Sequence, residues 1–118
     1  GRAGAARPGA ADTVMSHVVV FITTATPEEA ERIGRTLLDE RLAACVNTTP
    51  VRSAYWWKGQ VEEAGETLLI VKTASRLVDA LTARVRALHS YTVPEVVAFP
   101  IVGGNPDYLR WIDESVHA

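Results

Sequence analysis

Two segments of strand-forming residues, 46–57 and 61–73, flank a Lys58-Gly59 pair, and this arrangement restricts the fold more than any other feature of the chain. A two-residue connection ending in glycine reads as a tight hairpin turn. The strands it joins are each about twelve residues long, roughly double the usual five to six. Pro50 falls inside the first of them and marks a bulge or an unpaired position. The helices available to cover such a hairpin are short. Thr26-Pro27-Glu28-Glu29 opens the first, with Thr26 as cap, Pro27 at the first helical position and Glu29 completing a capping box. Ala30, Ile33, Leu37 and Leu38 then recur at helical spacing. Ser75 is placed to cap a second helix, with Leu77, Leu81, Val85 and Leu88 along one side. Helices of about twelve to fourteen residues span only about 20 Å, so the hairpin must overhang the part of the sheet they cover.

The remaining segments complete the order. Residues 17–23 (HVVVFIT) form a continuous β-branched run, the pattern of a strand buried on both faces. Residues 95–102 (EVVAFPIV) give a fourth strand, broken by Gly103-Gly104, and Asn105-Pro106 opens a terminal helix bearing Tyr108, Leu109, Trp111 and Ile112. The order β-α-β-β-α-β plus a helix predicts an α+β, ferredoxin-like domain: an antiparallel sheet with both central helices on one face.

The length of 118 residues suits one domain, expected over residues 15–118. Residues 1–14 are rich in Gly, Ala, Pro and Arg, lack the apolar stretch of a secretory signal, and are expected to form a disordered tail. A net charge of −2 argues against a nucleic-acid partner, which usually shows as a strongly basic domain. No apolar run approaches the roughly 20 residues of a membrane span. Cys45 is the only cysteine, which fits a reducing compartment, and a cytoplasmic location is expected.

The hairpin carries Tyr55, Trp56 and Trp57 in succession. Neighbouring strand residues face opposite ways, so at least one large aromatic points away from the domain's own core. Either these rings cover the terminal helix with Trp111 or they meet a partner chain. Cys45, where the first helix hands over to a strand, is a buried small hydrophobe or a soft metal ligand. His89 closes the second helix, where it can complement the last carbonyls or bind a metal through a neutral nitrogen. Lys72, Tyr91 and Glu95 are polar residues in or beside apolar strands. They can satisfy one another, or line a cleft for a small polar ligand. No Gly-rich phosphate loop, paired-cysteine motif or Ser/His/Asp signature is present, and no enzymatic activity is expected. An aromatic platform for RNA is missing from the central segment ETLLIVKT, and the loop Thr24-Ala25-Thr26-Pro27 lacks the arginine of an acylphosphatase-like cradle.

Five segments, taken in order, carry a family resemblance. They are Leu42-Ala43-Ala44-Cys45-Val46-Asn47; Ser53-Ala54-Tyr55-Trp56-Trp57-Lys58-Gly59 with Glu62; Val71-Lys72-Thr73; His89-Ser90-Tyr91-Thr92-Val93-Pro94-Glu95; and Tyr108-Leu109-Arg110-Trp111. From about His17 onward the chain resembles the CutA divalent-cation tolerance family. That resemblance implies a homotrimer whose long hairpins cross between subunits, with Tyr55, Trp56, Trp57 and Trp111 as interface candidates. It also implies a link to divalent metals, copper in particular, and an architectural likeness to PII signalling proteins. The metal donors this chain offers are His89, Cys45 and Glu95. Two departures stand out: His89-Ser90-Tyr91 replaces the family's usual His-Pro-Tyr, and Ile22 and Leu88 stand where some members carry a Cys and a second His. Copper or another divalent metal is therefore expected to bind weakly. The alternative is a PII-like sensor or assembly module for a small molecule or partner protein.

Overall fold

The structure is a computed structural model that describes residues 16–116. The tail expected over residues 1–14 lies outside the described residues. The elements are β1 (His17–Thr24), α1 (Pro27–Asp39), β2 (Cys45–Trp57), β3 (Gln60–Ala74), a 3-10 turn (Ser75–Leu77), α2 (Val78–Leu88), β4 (Val96–Pro100) and α3 (Pro106–Ser115). The strands form one antiparallel sheet in the order β2-β3-β1-β4. This is the expected α+β, ferredoxin-like architecture.

Local chemistry explains the boundaries. The Thr26 hydroxyl accepts a hydrogen bond from the Glu29 N–H at 3.1 Å, and Pro27 starts α1 where no intrahelical N–H is needed. The helix ends in a Schellman arrangement: Leu42 N–H donates to the Leu37 carbonyl at 2.9 Å and Arg41 N–H to the Leu38 carbonyl at 3.0 Å, with Arg41 at a φ of 60°. Lys58 and Gly59, at φ 52° and 82°, supply the two positive angles of a type I′ hairpin turn. Ser75 does not cap α2 through its side chain; a 3-10 turn over Ser75–Leu77 leads into the helix instead. Pro50 makes no bulge. It pairs opposite Thr67 in unbroken register, tolerated because β2 is an edge strand whose outer side needs no N–H.

One face of the sheet is covered. Val18, Val20, Ile22, Leu69 and Val71 project from it into a core with Ala30, Ile33 and Leu37 of α1 and Leu81 and Val85 of α2. Both helices therefore lie on the same face. Each fully buried aliphatic side chain there contributes about 1.5–3 kcal/mol through removal from water.

The other face is open in the single chain. The register aligns Asn47, Ile70, Phe21 and Val97 in one row, and Cys45, Lys72, Val19 and Phe99 in the next. Phe21 and Phe99 meet edge to face with ring centroids 4.9 Å apart, and Val97 and Phe99 remain exposed.

β1 pairs with β3 only as far as Thr67. Beyond it, residues 60–66 of β3 pair with β2 alone as a two-stranded ribbon. The overhang expected from the strand lengths is this ribbon. It raises the radius of gyration to 16.1 Å, against about 13 Å for a compact domain of 100 residues.

Candidate functional site

The root of the ribbon faces the segment that links α2 to β4, and the two enclose an open cleft of about 840 Å³. Thr23, Tyr55, Trp57, Glu66, Tyr91 and Glu95 are among its lining residues. His89, at the C-terminal cap of α2, holds that segment in place. Its Nε2–H donates to the Thr23 carbonyl at 2.7 Å, and its Nδ1 accepts the Tyr91 N–H at 3.0 Å. Both ring nitrogens are thus engaged, Nδ1 also lies 3.6 Å from Glu29 Oε2, and the side chain is fully buried. Next to it, the buried Glu29 carboxylate accepts hydrogen bonds from Ser90, from the N–H at 2.8 Å and the hydroxyl at 3.0 Å. Burial pushes the Glu29 carboxyl up, but the two Ser90 bonds, the neighbouring His89 and the Ala25 N–H together outweigh it and leave it below its ordinary value.

Tyr91 packs on the His89 ring at 4.8 Å and donates its hydroxyl to Glu66 Oε2 at 2.7 Å. Burial, and then this bond to a carboxylate, push the phenol well above its usual range, so it stays a donor. Glu66 is only 9% exposed, and its second oxygen has no partner among the described residues. Thr23, 8% exposed, points its side chain to the same face, and its hydroxyl makes no hydrogen bond among the described residues. The cleft therefore holds two buried acceptors left unused by the described residues.

Of the polar residues grouped from the sequence, Tyr91 and Glu95 line this cleft and Lys72 does not. Lys72 lies six residues along β3 from Glu66, about 20 Å at the rise of a strand. Its ammonium donates to Asn47 Oδ1 and lies 4.0 Å from Cys45 Sγ. The Tyr108 phenol of α3 is raised by burial and by the neighbouring Cys45. The metal donors also fail to converge in one protomer. His89 is locked in the α2 cap, Cys45 sits at the Lys72 end, and Glu95 is on the cleft rim. Among the described residues no group of three or more His, Cys, Asp or Glu could hold a metal ion. The donors present do not fit a resident copper in a single chain, because a tight site needs several soft or imidazole donors at one point.

Trp111 pairs with Tyr108 at 5.4 Å, at the Cys45 end of the sheet, so the ribbon aromatics do not cover it. Tyr55, Trp57 and Trp111 are each more than one-third exposed, and Trp56 is 74% exposed. Sequence reasoning missed Glu66, Thr23 and the Glu29–Ser90 pair. The available signal was the alternation of β3, which puts Glu66 on the same face as Leu68 and Ile70. Nothing in the sequence brings Ser90 to Glu29, 61 residues away.

Among the described residues no helix is long and apolar enough to cross a membrane. Residues 18–115 match the family described as CutA1 divalent ion tolerance protein. The chain is 51% identical over 98 residues to the divalent-cation tolerance protein CutA of Thermus thermophilus, covering 82% of this chain and 95% of that one. It is 46% identical over 111 residues to the chloroplastic protein CutA 1 of Oryza sativa, covering 93% of this chain but only 63% of the rice protein. The crystal structure of CutA1 from Oryza sativa superimposes with a TM-score of 0.85 at 46% identity, covering 89% of this chain and 97% of that one. The structure of the periplasmic divalent cation tolerance protein CutA from Archaeoglobus fulgidus gives 0.84 at 46% identity, covering 86% and 99%. Sequence match and superposition thus coincide over nearly all of the described residues, and the chain belongs to the CutA1 divalent ion tolerance protein family.

Proposed function

We propose that this chain serves divalent-cation tolerance as a homotrimeric ligand-binding module, with the cleft at the ribbon root as its ligand site. The observation that carries the reading is the cleft itself, with the Tyr91–Glu66 pair and unused buried acceptors on its wall. Assembly is supported by the open sheet face, where Val19, Phe21, Ile70, Val97 and Phe99 form an apolar surface, and by the exposed ribbon aromatics. The number three rests on the family resemblance. The exposed edges of β2 and β4 offer further backbone pairing. The architectural likeness to PII proteins that the family resemblance implies fits a sensor or assembly role without catalysis. A cytoplasmic setting accords with the lone Cys45, although two relatives carry chloroplastic and periplasmic in their names.

Copper or another divalent metal is a weak, non-resident ligand in this reading, because His89, Cys45 and Glu95 do not meet in one protomer. Light scattering after size exclusion tests the assembly, with three times the chain mass expected at micromolar protein. A clean monomer sinks it. Trp57→Ala should lower the oligomer's heat resistance. Calorimetry with Cu(II), and with Cu(I) under reducing conditions, should give only weak heats. Tight stoichiometric copper binding that survives His89→Ala would overturn the ligand-module reading in favour of a metal centre formed between subunits.

A further inference from the structure

The acceptors in the cleft match one class of ligand. Glu66 contributes a buried carboxylate oxygen with no partner among the described residues, and Thr23 contributes a buried hydroxyl with none. Glu95 adds a second carboxylate at the rim. The cation among the lining residues is Arg52, and its guanidinium lies 3.9 Å from Glu63, a carboxylate outside the cleft wall. The cleft is therefore acidic; its free Glu66 oxygen needs a hydrogen-bond donor and the Thr23 hydroxyl can accept one. A buried acceptor left without a donor is costly, which makes a donor-rich ligand favourable there. Tyr55, Trp57 and Tyr91 supply aromatic surface beside these acceptors, suited to an alkyl stem and to a cation against a ring face.

We propose that this cleft binds a primary ammonium ion, its N–H groups donating to Glu66 and Thr23 and its alkyl stem lying against Tyr55 and Trp57. The proposal rests on the reading of the cleft as a ligand site and names the chemistry it takes. A primary ammonium offers three donors on one compact charge. A quaternary ammonium offers charge without donors, an alcohol offers a donor without charge, and a carboxylate meets like charge. The ammonium has two conceivable sources, a free small amine or a lysine of a second copy of this chain. The described residues contain two lysines, Lys58 at the hairpin turn and Lys72.

The test is titration of the full chain near neutral pH with n-butylamine, n-butanol, tetramethylammonium and butyrate, followed by calorimetry and by tryptophan fluorescence from the cleft wall. Saturable binding of n-butylamine is expected, with the other three clearly weaker. Glu66→Gln should weaken n-butylamine about tenfold, the loss of a charge-assisted hydrogen bond. Thr23→Val should weaken it about threefold while oligomer mass and melting temperature stay unchanged, because the native hydroxyl bonds nothing among the described residues. This second variant keeps the test decisive if Glu66→Gln misfolds. Equal binding of n-butylamine and n-butanol, or binding indifferent to both variants, overturns the ammonium assignment. Tight binding of butyrate or n-butanol in the cleft does the same while leaving the ligand-site reading standing. If the unmodified chain takes no amine but Lys58→Met or Lys72→Met does, the ammonium is confirmed as a lysine of a second copy. If none of these proteins binds any probe, both the assignment and the ligand-site reading fall.

Discussion

The two faces of the sheet are built from the same kind of residue and meet different fates. On the covered face, Val20, Ile22, Leu69 and Val71 are fully buried under α1 and α2. On the open face, Phe21, Ile70, Val97 and Phe99 are as apolar, yet the single chain leaves them half-buried or exposed. Adjacent residues of one strand thus stabilise different things. The covered set holds the monomer together, while the open set can contribute fully only when another surface covers it. The ribbon beyond Thr67 extends the second condition, since residues 60–66 have neither a third strand nor a helix over them.

The strongest way to break this comparison is to truncate neighbours on opposite faces. Leu69→Ala should destabilise the fold by about 2–5 kcal/mol, read as a large fall in melting temperature at any protein concentration. Ile70→Ala should act mainly on the oligomer, with a melting temperature that depends on protein concentration. Equal, concentration-independent losses from the two would show that the faces do not differ. A second probe is a charge on the open face. Phe21→Asp should reduce the particle to one chain's mass while far-ultraviolet circular dichroism stays native, because an unpaired carboxylate is excluded from an apolar contact. An unchanged oligomer would remove this face from the assembly.

The link between the covered core and the cleft is sharper in its pH dependence. Glu29 is held below the ordinary carboxyl value of 4.5, so its contribution is present above that pH and disappears as the pH falls through its lower folded value. Ser90→Ala removes one of the bonds that hold it down and should cost about 1 kcal/mol at neutral pH. Acid unfolding should begin at a higher pH in the variant, and the two proteins should converge once the carboxyl is protonated. Parallel acid-denaturation curves with no such convergence would separate Ser90 from the Glu29 charge. The smallest effect belongs to the ribbon tip. Lys58 occupies a left-handed position that asparagine tolerates better, so Lys58→Asn should stabilise by about 0.5–1 kcal/mol, visible as a slightly higher denaturation midpoint. A lower midpoint would mean that the Lys58 ammonium, 5.9 Å from the Trp57 ring centre, matters more than the backbone strain.

Much of the fold is legible in the sequence, because its signals are local. The Thr26 cap, the helical spacing of Ile33 and Leu37, the Lys58-Gly59 turn and the β-branched run at 17–23 each specify an element within a few residues of themselves, although the expected capping box closes only halfway because the Glu29 carboxylate bonds Ser90. The strand lengths alone implied an overhanging hairpin, because rise per residue is fixed by covalent geometry. The start of α2 was less legible, since a 3-10 turn and a capped helix place Ser75 in the same sequence context.

The site divides along the same line. Tyr91 and Glu95 were visible as polar residues in apolar surroundings, but so was Lys72, and sequence offers no measure of which of the three meet. Strand register decided it, by putting Lys72 beside Asn47 and Cys45 at one end of the sheet and Glu66 near Thr23 at the other. From sequence His89 could complement the last carbonyls of α2 or bind a metal; its bonds to the Thr23 carbonyl and the Tyr91 N–H commit both its nitrogens. Sequence by itself determined which segments are strands and helices, since those follow from torsional preference and apolar period over a few residues. Only the tertiary structure decided which donors and acceptors are already satisfied, because hydrogen bonding is a short-range pairing between groups that lie 61 or 66 residues apart along the chain.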